Sequence, residues 1–233
     1  MRVSIQRESL EEFEADVHDV TLLSLLSTLK TEQDNSLTFL SGCRSSICGS
    51  CSVRANGKEV LACSYKVQDG DVIEPLKNMP ILRDLVVDMS RAHEKNRVAK
   101  AWLSKIVDDV TITQESEKLN ELQSECILCG SCYSACPVFS VNEEFLGPFS
   151  LTRVWRYVSD AREESEREKI DTIQTDGVWD CTLCNECTLV CPQGISSKSD
   201  IEKLRSKSAM AGYSDPSFAS FGGGFSFDGS PTF

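Results

Sequence analysis

Apolar and polar residues alternate at Val3 and Ile5 and again at Phe13, Ala15 and Val17, which predicts two strands joined by a turn near Ser9. Leu22, Leu25, Leu26 and Leu29 recur at helical spacing behind Thr21, a residue able to cap them. Ser52-Val53-Arg54 and Val60-Leu61-Ala62 flank Asn56-Gly57, a two-residue hairpin signal. Gly70 marks a further turn before Val72 and Ile73. Together these elements predict a small mixed α/β unit over residues 1–90.

From about Asp84 the period lengthens. Arg91 to Val107, carrying Ala92, Val98, Ala101, Trp102 and Ile106, reads as a long helical segment, and Ser116 to Ser124 as another. Leu151, Val154, Trp155 and Val158 form an apolar stripe suited to a helix core, and Ile201 and Leu204 belong to a last helix. The dense alternating charges from Asp160 to Asp171 read as a solvated face or loop. Residues 91–208 are therefore expected to form an α-helical domain. The Gly-, Ser- and Phe-rich stretch 209–233 cannot bury enough apolar surface to offset its chain entropy. It is expected to dock on a partner subunit through Phe218, Phe221, Phe225 and Phe227. Its Gly222-Gly223-Gly224 lacks the Lys-Ser/Thr of a phosphate loop.

The 233 residues suit one to two domains, and 40% hydrophobic with 26% charged residues is ordinary for a folded soluble chain. The net charge of −12 argues against nucleic acid or an anionic membrane as the main partner. The richest apolar stretch, Thr21 to Leu29, is short and broken by serine and threonine, so no membrane span is expected. The first residues lack the apolar core of a secretory signal. What changes the picture is the 12 cysteines, which fall into three tight groups.

The first group is Cys43-x4-Cys48-x2-Cys51 followed by Cys63, the plant-type spacing of a [2Fe–2S] centre. Small residues around it (Gly42, Ser45, Ser46, Gly49, Ser50) let backbone N–H groups approach sulfur, and Arg44 would offset negative charge. The second is Cys126-x2-Cys129-x2-Cys132-x3-Cys136-Pro137 and the third Cys181-x2-Cys184-x2-Cys187-x3-Cys191-Pro192. Each is the bacterial ferredoxin run, in which three cysteines grip one cube and the fourth reaches the other. The spacing thus assigns Cys126, Cys129, Cys132 and Cys191 to one [4Fe–4S] cluster. It gives Cys136, Cys181, Cys184 and Cys187 to a second, which becomes [3Fe–4S] if Cys184 is not a ligand. The fold class expected is α+β: an N-terminal β-grasp [2Fe–2S] ferredoxin domain, then an α-helical bacterial-type ferredoxin domain.

Structural zinc also uses Cys-x2-Cys pairs, but a zinc site needs two pairs, whereas each run here supplies four cysteines ending in Cys-Pro. Closely spaced triplets are poor partners for structural disulfides. A Rieske centre needs two histidines among its ligands, and His18 and His93, remote from any cysteine in sequence, read as surface or helix-packing residues. No acid–base pair, nucleophile or dinucleotide loop marks a substrate site on this chain.

Further residues carry a resemblance. Cys43-Arg44-Ser45-Ser46-Ile47-Cys48-Gly49-Ser50-Cys51 with a short gap to Cys63 resembles the iron–sulfur subunit of succinate dehydrogenase and fumarate reductase. So do Asn56-Gly57 with Leu61-Ala62-Cys63, Glu74-Pro75-Leu76 running on to Asp84-Leu85-Val86-Val87-Asp88-Met89, and Gly147-Pro148 with Arg156-Tyr157 and Asp160-Ala161-Arg162. The resemblance covers roughly Val3 to Lys207. It implies an electron-transfer subunit lying between an FAD-containing flavoprotein that interconverts succinate and fumarate and a quinone-linked, membrane-associated subunit. The expected location is peripheral, on the cytoplasmic side of the membrane.

Three positions depart from the commonest members, which have a non-cysteine residue at Cys184, a quinone-contacting Trp at Val141 and a His at Thr182. Cys184 permits a fourth iron, and Val141 and Thr182 do not reproduce the quinone contacts. By resemblance this is the variant branch, whose acceptor is a cysteine-rich subunit similar to part of heterodisulfide reductase. The alternatives are an iron–sulfur chain of a heterodisulfide reductase-like or hydroxy-acid oxidase complex, which usually lacks the Cys43–Cys63 loop, and a zinc-stabilised or redox-sensing interaction module, which a metal count separates.

Overall fold

A computed structural model of the chain describes residues 1–219. Phe221, Phe225 and Phe227 of the expected docking tail lie outside the described residues, and the side chain of Phe218 is not described.

The first five strands are β1 (Arg2–Gln6), β2 (Leu10–Glu14), β3 (Ser52–Ala55), β4 (Lys58–Leu61) and β5 (Asp71–Glu74), with helix α1 (Leu22–Glu32) after β2. They form one sheet in the order β2-β1-β5-β3-β4, antiparallel except where β1 runs parallel to β5. This is the expected β-grasp: a sheet wrapped over one helix. The helix begins where Thr21 Oγ1 accepts the Ser24 N–H, and Leu22, Leu25, Leu26 and Leu29 enter the core beside Val3, Ile5 and Ile73. Asn56 (φ 50) and Gly57 (φ 81) make the tight hairpin with both residues at positive φ. The second strand lies earlier than its sequence pattern suggested. Leu10–Glu14 pairs with β1, while Ala15 is buried past the end of the strand, tied by its N–H to the Met1 carbonyl at 2.9 Å.

Beyond a two-stranded ribbon, β6 (Ile81–Arg83) with β7 (Val86–Val87), the described chain is helical: α2 (Ser90–Val98), α3 (Gln114–Lys118), α4 (Glu121–Ser124), α5 (Ser131–Ser134), α6 (Pro137–Val141), α7 (Pro148–Val158), α8 (Glu166–Thr172), α9 (Glu186–Leu189), α10 (Ser197–Met210) and α11 (Pro216–Ala219). The expected stripe on α7 is buried, and it packs against α10, where Ile201 and Leu204 are fully enclosed. Tyr133 anchors this second core. Its ring meets Phe139 and Phe149 edge-on at 4.7 and 4.4 Å, and its hydroxyl donates to the Leu146 carbonyl beside Ser150. Gly147 (φ 81) lies against that ring, which leaves no room for a Cβ. The two cores are not separated cleanly in sequence, since Leu76 and Met79 pack into the second one.

Three sequence expectations are corrected. The segment from Arg91 is helical only to Val98; Lys100 takes φ 48, and the chain then runs irregularly past a half-exposed Trp102. The Lys100 and Trp102 carbonyls accept from the Lys169 ammonium at 3.2 and 2.6 Å, bonds a continued helix would have used internally. Ser116 to Ser124 is split into α3 and α4 at Asn120. The charged stretch Asp160–Asp171 is not merely a solvated face. Lys169 and Glu163 form a 3.1 Å ion pair whose side chains are both 0% exposed. Glu163 also accepts from the Ser104 and Ser165 N–H groups, and together with Lys169 these outweigh burial and hold its carboxyl below the usual range.

Candidate metal centres

The loop from Cys43 to Cys51 gathers donors around sulfur. Cys43 Sγ accepts from the Ser45, Ile47 and Cys48 N–H groups, Cys48 Sγ from Cys43 N–H, and Cys63 Sγ from Ser46 N–H, each at 3.3 Å. Arg44 and Ser46 at φ 59 and Gly49 at φ 72 turn successive amides inward, forming a backbone nest suited to negative charge. The Ser50 hydroxyl at 2.9 Å and the Cys43 N–H pull the Cys48 thiol down to about 6. Burial pushes Cys51 up to about 11. At Cys63 burial acts upward, but the Ser46 hydroxyl and N–H bring the thiol below its ordinary value. The loop thus brings together all four cysteines of its expected set.

The two ferredoxin runs share a local backbone. Leu128 and Leu183 adopt φ 53 and 55, and Gly130 and Asn185 φ 82 and 74, at matching places between the cysteines. Glycine and asparagine accept such angles readily, whereas a left-handed leucine costs about 1–3 kcal/mol, a strain of the kind that collects at functional sites. Each run then enters a short helix, α5 or α9. Cys126, Cys129, Cys132 and Cys191 line one cavity, with Phe149, Ile195 and Gln193 in its wall. Cys136, Cys181, Cys184 and Cys187 line another, with Phe145, Pro148 and Lys198. Each cavity thus takes three cysteines from one run and the fourth from the other. The first turn of α10 sits between them, Ser197 facing the first and Lys198 the second.

The donor sets fit clusters better than single ions. All twelve cysteines are free, and among the described residues no three His, Cys, Asp or Glu side chains converge as ligands of one ion. A structural zinc needs four ligands around one point, whereas a cluster needs thiols spaced around a body. Burial raises the Cys126, Cys132, Cys136, Cys181 and Cys191 thiols, and it takes Cys187 to about 12. Such thiols give up their protons only to a compensating positive charge of the kind bound iron supplies.

Residues 2–94 match the family described as "2Fe-2S iron-sulfur cluster binding domain", and residues 122–195 match "4Fe-4S dicluster domain". The chain is 38% identical to the 8-methylmenaquinol:fumarate reductase iron-sulfur subunit of Wolinella succinogenes over 82% of its own length and 64% of that protein's. It is 36% identical to the fumarate reductase iron-sulfur subunit of Mycobacterium tuberculosis, over 79% of each chain. The chain belongs to the family of fumarate reductase and succinate dehydrogenase iron–sulfur subunits. It is an electron-transfer subunit with [2Fe–2S] and [4Fe–4S] centres, as its cysteine spacing implied. It is also 35% identical to a subunit of the fumarate reductase (CoM/CoB) of Methanothermobacter marburgensis, over 82% of this chain but 39% of that one. The chain spans less than two thirds of the Wolinella and Methanothermobacter proteins. A chain of the Mycobacterium smegmatis Sdh1 complex in the apo form shares its fold, with a TM-score of 0.82 at 24% identity, covering 92% of this chain and 98% of that one.

Several residues of these sites carried no signal in the sequence. His93, far from any cysteine along the chain, lines a cleft with Cys48, Gly49, Met89 and Cys129. Asn78 Nδ2 donates to the Tyr133, Ser134 and Cys136 carbonyls at 3.0–3.2 Å, fixing the end of α5 beside Cys136. Ser134 Oγ donates to Glu59 at 2.7 Å and accepts from Lys77 N–H at 2.9 Å, joining the hairpin to the helical half. Such contacts arise only once the halves meet, so local pattern cannot announce them.

Proposed function

We propose that Cys43, Cys48, Cys51 and Cys63 hold the [2Fe–2S] cluster, that Cys126, Cys129, Cys132 and Cys191 hold the first [4Fe–4S] cluster, and that Cys136, Cys181, Cys184 and Cys187 hold the second. The observation that carries this reading is the exchange of the fourth cysteine between the two cavities. When bound, the clusters supply one-electron carriers in series. The chain's residues fix their spacing, supply N–H donors to the thiolates and exclude water from the buried sites.

In this reading the subunit relays electrons between an FAD-containing flavoprotein that interconverts succinate and fumarate and a membrane-associated acceptor subunit. Val141 and Thr182 do not reproduce the Trp and His of the commonest members, which favours a cysteine-rich, heterodisulfide-reductase-like acceptor. A relative named for CoM/CoB is in keeping with this branch. No helix among the described residues is long and apolar enough to cross a membrane. The proposed position is peripheral, on the cytoplasmic face of the complex.

Anaerobic purification with native partners tests the proposal. Iron should reach about ten atoms per chain, with flavin in the complex and cluster redox changes on adding succinate or fumarate. Cys184→Ala should lower iron to about nine and give the paramagnetic signature of an oxidised [3Fe–4S] centre. Preparations without acid-labile sulfide, or Cys184→Ala with an unchanged second cubane, would contradict it.

A further inference from the structure

The Cys43–Cys51 loop is fastened to the wall of the first four-cysteine cavity at two points, one from each ferredoxin run. Gly49 lies against backbone: a Cβ there would come within 2.8 Å of Cys129 Cβ and 3.0 Å of both Cys129 Cα and the Ile127 carbonyl oxygen. No flexible side chain stands between them to yield. The second fastening joins residues far apart in sequence, where Gln193 Nε2 donates to the Ser46 carbonyl at 3.1 Å. Gln193 follows Cys191 by two positions and lines the cavity of Cys126, Cys129 and Cys132. The carbonyl it binds belongs to the peptide whose N–H, on Ile47, donates to Cys43 Sγ, while the Ser46 N–H donates to Cys63 Sγ. One side chain therefore connects the wall of the first cubane cavity to amides that hold two thiols of the [2Fe–2S] set. A hydrogen bond accepted at the carbonyl also strengthens the donor at the other end of the same peptide.

We propose that Gln193 and Gly49 form a bridge that fixes the distance between the [2Fe–2S] centre and the first [4Fe–4S] centre, and so sets the rate of electron transfer between them. The proposal rests on the cysteine assignment above. Neither residue is an iron ligand; both are positioning residues. With both clusters bound, an electron passing between them would oxidise the centre it leaves and reduce the one it reaches, with no bond made or broken, and the bridge residues would hold the separation. The loop needs such a clamp because Cys43 and Cys48 are exposed and the turn around them has few apolar anchors of its own.

The test uses the complete complex, purified anaerobically, with Gln193→Leu, which keeps bulk and loses the donor, and Gln193→Lys, which keeps a donor on a chain of similar reach. In the fully reduced protein, electron paramagnetic resonance reads the magnetic splitting of the [2Fe–2S] signal by its neighbour. Rapid freeze-quench reads the rate between the two centres, and hydrogen exchange reads protection of the Ile47 amide. Gln193→Leu should keep the wild-type iron and sulfide content but show weaker splitting, a several-fold slower rate and faster exchange at Ile47, and Gln193→Lys should restore all three. Unchanged splitting, rate and exchange in Gln193→Leu would overturn the bridge while leaving the cluster assignment standing. Wild-type complex without iron–sulfur absorption would instead overturn the assignment beneath it.

Discussion

Replacing Asp200 by Asn should stabilise the protein at neutral pH. Asp200 is 1% exposed in the first turn of α10, the helix whose start separates the two cubane cavities. Its Oδ1 accepts from Gln123 Nε2 at 2.8 Å, with Lys203 at 3.5 Å. The nearby Thr152 hydroxyl leaves Oδ2 without a well-formed hydrogen bond. Burial pushes the carboxyl from 3.8 up to about 6, against the pull of Lys203 and Gln123. Because the folded value stands above the unfolded one, the native state takes the extra proton. Stability is greatest below the unfolded value and falls as pH rises through about 6. Roughly two pKa units at 1.36 kcal/mol each give a cost of about 3 kcal/mol above pH 7 and about half that near pH 5.

Asparagine has no charge to desolvate, keeps an oxygen for Gln123 and brings an N–H for the Thr152 oxygen. Anaerobic thermal denaturation between about pH 5 and about pH 8, followed by circular dichroism and cluster absorption, reads the difference. The Asp200→Asn midpoint should lie roughly 6–12 °C above wild type at the alkaline end, with the gap roughly halved at the acid end. An Asn variant no more stable at pH 8, or a gap that stays constant across the series, would refute the reasoning.

Lys169→Met should cost about 3–5 kcal/mol in a denaturant titration, because it leaves the Glu163 carboxylate buried without its cation. Glu163 now contributes stability above its unfolded pKa that is lost as pH falls through its depressed native value, so the penalty should shrink in acid, and adding Glu163→Gln should recover much of it at neutral pH. Gly147→Ala drives a Cβ onto the Tyr133 ring at a positive φ and should cost about 2–4 kcal/mol, read as a lower denaturation midpoint.

The chemistry of this subunit was legible because iron–sulfur ligation is a matter of spacing. Four-cysteine runs with a terminal Cys-Pro point to the type of centre, and the fold brings each fourth cysteine into the cavity lined by the other run's three. The β-grasp was equally legible, since the leucines of α1 and the Asn56-Gly57 turn are local signals that tertiary packing had no cause to override. Charge patterning misled at Lys169, where alternation resembles a solvated helix but two of the charges meet inside the core. Periodicity misled after Val98, because the Lys100 and Trp102 carbonyls are claimed by that same ammonium. Gln193, Asn78 and Ser134 were invisible because each acts across the join between the halves, where the chain's order gives no clue.

The crossed cysteines also constrain how this protein comes into being. On the proposed assignment neither set of four is complete within one run: Cys126, Cys129 and Cys132 depend on Cys191, and Cys136 depends on Cys181, Cys184 and Cys187. A chain cut between the runs would therefore leave three cysteines of one proposed set and one of the other on its first piece, and neither piece would carry a complete set.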